Sequence, residues 1–203
     1  MHLHLKAYPE KPPCAVRNTP DDKNPVRTMK RAIRGVSVLL AGLLPVLSCV
    51  KDHTGSCLQE GERIPPFHVI TIEGRDVTAS DLVGRPSVIV FFDTRCPDCH
   101  RQLPEIEAVR AAAGEDIAIL AVARDEDTET VSRYWKAARY TMPVSAPGKR
   151  DVFNLFDRES GTGVPQVYVC DPAGVVVHVG TDKRFLYKND ILSACSTDGK
   201  PTN

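Results

Sequence analysis

Two kinds of apolar pattern alternate along this chain, and together they predict an α/β fold. Ser87-Val88-Ile89-Val90-Phe91-Phe92 and the stretch from Ile117 to Val122 are continuous runs, as expected of strands buried on both faces. After Cys96 the spacing becomes helical. Leu103, Ile106, Val109 and Ala113 share one face, and Pro104 is expected to kink that helix. Val131, Tyr134, Trp135 and Ala138 place an amphipathic helix over 130–140, and Val152, Phe153 and Phe156 suggest a short one. Nearer the start, Phe67 to Ile72 alternates as a strand that ends in the turn Glu73-Gly74-Arg75. Gln166 to Cys170 and Val175 to Val179 read as strands joined by the turn Asp171-Pro172-Ala173-Gly174, and a last helix covers about 188–194. Helices interleaved with buried strands, closed by a hairpin, predict a mixed central sheet. Phe92, Trp135 and Phe153 are expected in the core.

Upstream of this pattern lies a different one. Lys30-Arg31-Ala32-Ile33-Arg34 precedes an apolar run from Val36 to Leu47 that ends at Ser48-Cys49. A charged start, a short apolar stretch and a small residue before a cleavage point describe a signal peptide, and the run is too short for a membrane span of about 20 residues. Val46-Leu47-Ser48-Cys49 resembles a bacterial lipobox, in which Cys49 becomes the acylated first residue of the mature chain. Residues 1–28 carry five prolines and no apolar run, so Met29 is the expected initiator and 1–28 an upstream, disordered extension. The expected organisation is therefore 29–48 signal peptide, 49–61 tether, 62–195 folded domain and 196–203 disordered tail. The address is the bacterial cell envelope, periplasmic or extracytoplasmic, with a lipid anchor in the membrane.

Charge sharpens this division. The chain balances 26 basic against 26 acidic side chains, but residues 1–48 hold eight basic and three acidic ones, which leaves the remainder at a net −5. A mildly acidic exported body argues against a nucleic-acid partner.

The candidate chemistry sits where the strand ending at Phe92 runs into Asp93-Thr94-Arg95-Cys96-Pro97-Asp98-Cys99-His100. A Cys at a helix N-terminus faces unpaired N–H groups and the positive end of the helix dipole, which favour the thiolate. The second Cys, three residues on, lies one turn away and can resolve a mixed disulfide. Pro97 suits the first helical position because it has no N–H to leave unpaired. Asp98 opposes a Cys96 thiolate while His100 and Arg101 favour it, so Cys96 is expected to be moderately acidic. His100 reads as a solvated helix residue.

These features resemble the TlpA/ResA type of membrane-anchored thioredoxin-like oxidoreductase over about residues 62–195. The likeness is carried by the N-terminal hairpin, Phe91-Phe92 before the motif, Pro104, the extra segment at about 143–156, Gly163-Val164-Pro165, and the Asp171–Gly174 turn. It implies a thioredoxin-like fold, with a mixed central sheet flanked by helices and an N-terminal β-hairpin extension. It implies that Cys96 is the nucleophile and Cys99 the resolving thiol, within an active-site loop of Arg95, Pro97 and Asp98. Val164 and Pro165 would form the cis-proline loop that binds substrate. The implied partners are disulfides in exported proteins and a transmembrane thiol reductant; no metal and no cofactor beyond the Cys96–Cys99 disulfide is implied. The chain departs from the pattern at Arg95, where Trp is usual, at Val90, where a buried acid or amide is expected, and at Gln102, acidic in some members. Asp93, Asp98 and Glu105 remain as proton acceptors by composition alone.

Two other chemistries fit the same residues. Cys96-Pro97-Asp98-Cys99-His100 has the spacing of a c-type haem attachment site, with His100 as one axial ligand and Met142 or another His as the second. Cys96, Cys99 and a distant His178 could hold Cu(I) for copper delivery, although His178 reads as a surface residue of the last hairpin. Cys57, Cys170 and Cys195 supply no second close pair for a structural zinc site. Cys170 is expected to be a buried thiol, with Cys195 either its disulfide partner or free.

Overall fold

The computed structural model describes residues 57–158 and 163–196. The expected extension, signal peptide, Cys49 and the first part of the tether lie outside the described residues, as do 159–162 and 197–203. The strands are β1 (His68–Ile70), β2 (Asp76–Thr78), β3 (Ser87–Phe92), β4 (Ala118–Ala123), β5 (Val144–Ser145), β6 (Gln166–Cys170) and β7 (Val176–Thr181). The helices are α1 (Pro97–Ala113), α2 (Thr128–Ala138), α3 (Asp151–Phe156) and α4 (Lys188–Ser196), with a single 3-10 turn at Ala79–Leu82.

The five-stranded sheet has the order β5-β4-β3-β6-β7. β3 pairs parallel with β4 and antiparallel with β6, and the register sets Ser87 against both Ala118 and Cys170. Every residue of β3, β4 and β6 is buried, which is why those segments read as continuous apolar runs. Phe91 and Phe92 alternate across the sheet. Phe91 meets Phe153 and Phe156 of α3 at centroid distances of 5.4 and 4.9 Å, while Phe92 meets Trp135 of α2 at 5.1 Å. The mixed sheet, its flanking helices and the separate β1–β2 hairpin are the architecture expected.

Differences from the expected elements have local causes. The first strand is only His68–Ile70, because Thr71 closes the hairpin turn, its N–H donating to the Arg75 carbonyl, and bridges Ser145, while Ile72 N–H donates to the Val144 carbonyl and so attaches the hairpin to the edge strand β5. β5 itself is two residues long, with Pro143 just before it and Ala146-Pro147 just after, and is too short for a periodicity to show. α1 runs unbroken through Pro104. The folded body begins before the expected boundary at 62. Cys57 bridges Asp157, Leu58 N–H donates to the Phe156 carbonyl at 2.8 Å, and both Cys57 and Leu58 are buried. Residues 57–61 are thus part of the domain and not tether. At the other end Ser196 closes α4 rather than opening a tail.

Candidate active site

α1 starts where β3 stops. Asp127 caps α2 with its carboxylate, but the residue capping α1 is Cys96, whose Sγ accepts the Cys99 backbone N–H at 3.3 Å. Pro97 takes the first helical position. The three-residue spacing brings Cys99 back beneath Cys96, and the two differ sharply in access: Cys96 is half-buried, Cys99 fully buried. Both are thiols here.

The Val164–Pro165 peptide bond is cis. It sets the Val164 carbonyl over the dithiol, where Cys96 Sγ donates to it at 3.2 Å. Cys96, Cys99, Pro97, Val164 and Pro165 therefore come together across a sequence separation of 68, with Arg95 and Asp98 on the exposed rim.

The electrostatics separate the two sulfurs. The Cys96 thiol is lowered to about 6, chiefly by its hydrogen bond with Cys99. Burial resists this shift, the backbone N–H groups of Cys99 and Asp98 assist it, and the Asp98 charge opposes it. Cys99 moves far in the other direction, because the proton is held between the two sulfurs and because it is buried; the Asp93 backbone resists the shift, and the charges of Cys96 and then Asp93 add to it. Moderate acidity opposed by Asp98 is the sequence expectation, but Arg101 acts on Asp98 instead, at 3.4 Å. His100 is exposed as expected, yet it is engaged: Nε2 bonds the Thr94 carbonyl at 2.6 Å and the ring stacks on Tyr134.

Around the dithiol lies a charged frame that the sequence does not reveal. Asp93, buried at the end of β3, pairs with Arg95 at 3.1 Å and Arg124 at 3.3 Å. Burial alone would raise its carboxyl, but the hydrogen bonds from Arg95 and the two positive charges hold it below the usual range. Glu126, from the loop after β4, accepts the Thr94 N–H at 2.7 Å and fixes the turn before Cys96. Glu126 carries no local motif; only the parallel pairing of β3 with β4 brings it to the site. Of the three candidate proton acceptors, Asp93 is among the groups that act on Cys99. Asp98 faces Arg101, and Glu105 accepts the Lys188 N–H at 2.8 Å, at the start of α4. Val90 is a core residue, and Gln102 spans the Leu186 backbone, donating to its carbonyl at 2.7 Å and accepting its N–H at 3.2 Å.

The residues of the two other chemistries are placed apart. His178 is on β7, two strands from β3, beside Glu60 at 3.6 Å. Met142 is buried, its carbonyl accepting Trp135 Nε1 at 3.0 Å. Among the described residues no group of three His, Cys, Asp or Glu side chains is arranged to hold a metal ion.

A mixed sheet whose β3 delivers a Cys-x-x-Cys to a helix N-terminus, opposite a cis-proline loop, defines a thiol–disulfide oxidoreductase of thioredoxin-like fold. Residues 61–179 match the AhpC/TSA family, and the chain belongs to it. It is 26% identical over 149 residues to the thiol-disulfide oxidoreductase ResA of Bacillus subtilis, covering 69% of this chain and 82% of that protein. It is 25% identical over 126 residues to the thioredoxin-like protein YneN of the same organism, covering 61% and 74%. Its fold is that of a thioredoxin-family thiol:disulfide interchange protein from Chlorobium tepidum, with a TM-score of 0.57 and 23% identity over 68% of this chain and 99% of that one.

Proposed function

We propose that this protein reduces disulfides in exported proteins, with Cys96 as nucleophile and Cys99 as resolving thiol. One observation carries the assignment: the acidic, reachable Cys96 sulfur lies against the Val164 carbonyl, with a buried Cys99 thiol bonded beneath it. The Cys96 thiolate attacks one sulfur of a substrate disulfide, forming a mixed disulfide and expelling the first substrate thiolate. Cys99 loses its proton and attacks Cys96 Sγ, which expels the second substrate thiolate and leaves the Cys96–Cys99 disulfide. A membrane thiol reductant returns two electrons and two protons to reset the pair. The hydrogen bond to Cys96 and burial keep Cys99 protonated until the mixed disulfide forms. Val164 and Pro165 present backbone to the substrate strand beside Cys96, and Arg95, Pro97 and Asp98 border the approach. The dithiol is the whole redox centre; the scheme uses no metal and no bound cofactor.

The leader supports an extracytoplasmic setting, with Cys49 lipidated and the domain held at the membrane. ResA, named a thiol-disulfide oxidoreductase, supports the reaction class.

The test is the redox equilibrium of Cys96/Cys99 in dithiothreitol and glutathione buffers, with thiols counted by mass. A potential near or below about −270 mV supports a reductase, while one towards about −120 mV would make the protein an oxidant. Cys96→Ser should abolish turnover, and Cys99→Ser should accumulate mixed disulfides with exported proteins. A covalently bound haem in the mass spectrum would sink the scheme.

A further inference from the structure

We propose that Cys170 and Cys195 form a second intrachain disulfide, one that fastens α4 to β6. Cys170 is the last residue of β6 and fully buried. α4 lies on α1 and β6. Ile191 is the buried residue of that helix, and Cys195, four positions on, shares its face and packs against the core that contains Cys170. Both are free thiols in the structure, and the Cys195 charge is among the causes that raise Cys170. Neither belongs to the Cys96 site, and the inference does not depend on the reaction proposed there.

The accessible member of the pair is Cys195, which is half-buried. Its thiolate attacks a low-molecular-weight disulfide, releasing one thiol and leaving a mixed disulfide on Cys195. Cys170 then loses its proton and attacks the Cys195 sulfur, expelling the second thiol. One disulfide is consumed, two thiols are released and one internal disulfide is gained. Burial pushes both thiols up, Cys195 to about 11 and Cys170 to about 12, so closure should be slow at neutral pH and faster as pH rises. Once closed, the bond presents only the Cys195 side to a reductant. The cross-link would lock the helix whose first residue is held by Glu105 of α1, with Gln102 on the Leu186 backbone just ahead of it.

The full chain is incubated with oxidised glutathione at alkaline pH, alkylated, digested without reduction and mapped by mass. The expected product joins the peptides carrying Cys170 and Cys195, about 2 Da lighter than their sum. Its melting temperature should rise by about 5–10 °C, and Cys195→Ser should lose that rise. Cys170 and Cys195 each recovered alkylated or singly glutathionylated after Cys96–Cys99 has fully oxidised would overturn the proposal, as would either one joined to another cysteine. The Cys96–Cys99 peptides in the same digest report separately on the dithiol of the proposed function.

Discussion

With a pKa of about 6, Cys96 is about nine-tenths thiolate at pH 7. A thiol is neutral when protonated, so a lowered value means more nucleophile at a given pH. Alkylation of Cys96 by iodoacetamide should therefore rise through pH 6 and level off above pH 7. Because the Cys99 thiol is the largest cause of the shift, Cys99→Ala should move that midpoint upward; an unmoved midpoint would place the cause elsewhere. Asp93→Asn removes the charge shared by Arg95 and Arg124 while keeping the side chain's size. It should cost about 1–3 kcal/mol in urea unfolding. At this scale, the sequence discloses whatever chemistry forces into a short local spacing: Cys96, Pro97 and Cys99 announce themselves. Glu126 and Tyr134 do not, because each reaches the site only when β4 and α2 are already packed.

At the scale of elements, the hold on α4 is polar and specific. Gln102 occupies both backbone groups of Leu186, so Gln102→Ala would leave a buried N–H and C=O without their partner. A loss of about 1–3 kcal/mol is expected in denaturant unfolding. Gly180 on β7 supports the same loop from the other side. An added Cβ would come within 2.8 Å of Leu186 Cγ and 3.2 Å of Val167 Cβ. Gly180→Ala should thus destabilise by about 1–3 kcal/mol through overpacking, read as a lower melting temperature. The long buried strands and the amphipathic α2 are plain in the sequence, because burial on two faces and helical periodicity leave strong patterns. β5 and the 3-10 turn after β2 are not, since two to four residues hold no period and their pairing is decided by partners far along the chain.

For the molecule as a whole, the segment ahead of β1 is structural. Glu62 receives Arg158 at 2.9 Å, Gly61 N–H donates to the Val176 carbonyl at 2.8 Å, and Arg63 donates to the Ala173 carbonyl. A soluble domain started at 62 would lose the buried Leu58 and the Phe156 contact. It should melt several degrees below one started at 51, a difference that thermal denaturation of the two would show. Signal-peptide logic marks where an exported chain can be cut, but says nothing about where packing begins.

The unequal burial of the two active-site sulfurs has a kinetic consequence. If only Cys96 can be reached, the molecule that delivers electrons and the molecule that receives them must call at the same atom. They cannot be bound productively at once, so turnover has the form of a turnstile. Initial rates measured at several fixed levels of one reactant should give parallel double-reciprocal lines, and high concentrations of either reactant should inhibit by competing for the other's form of the enzyme.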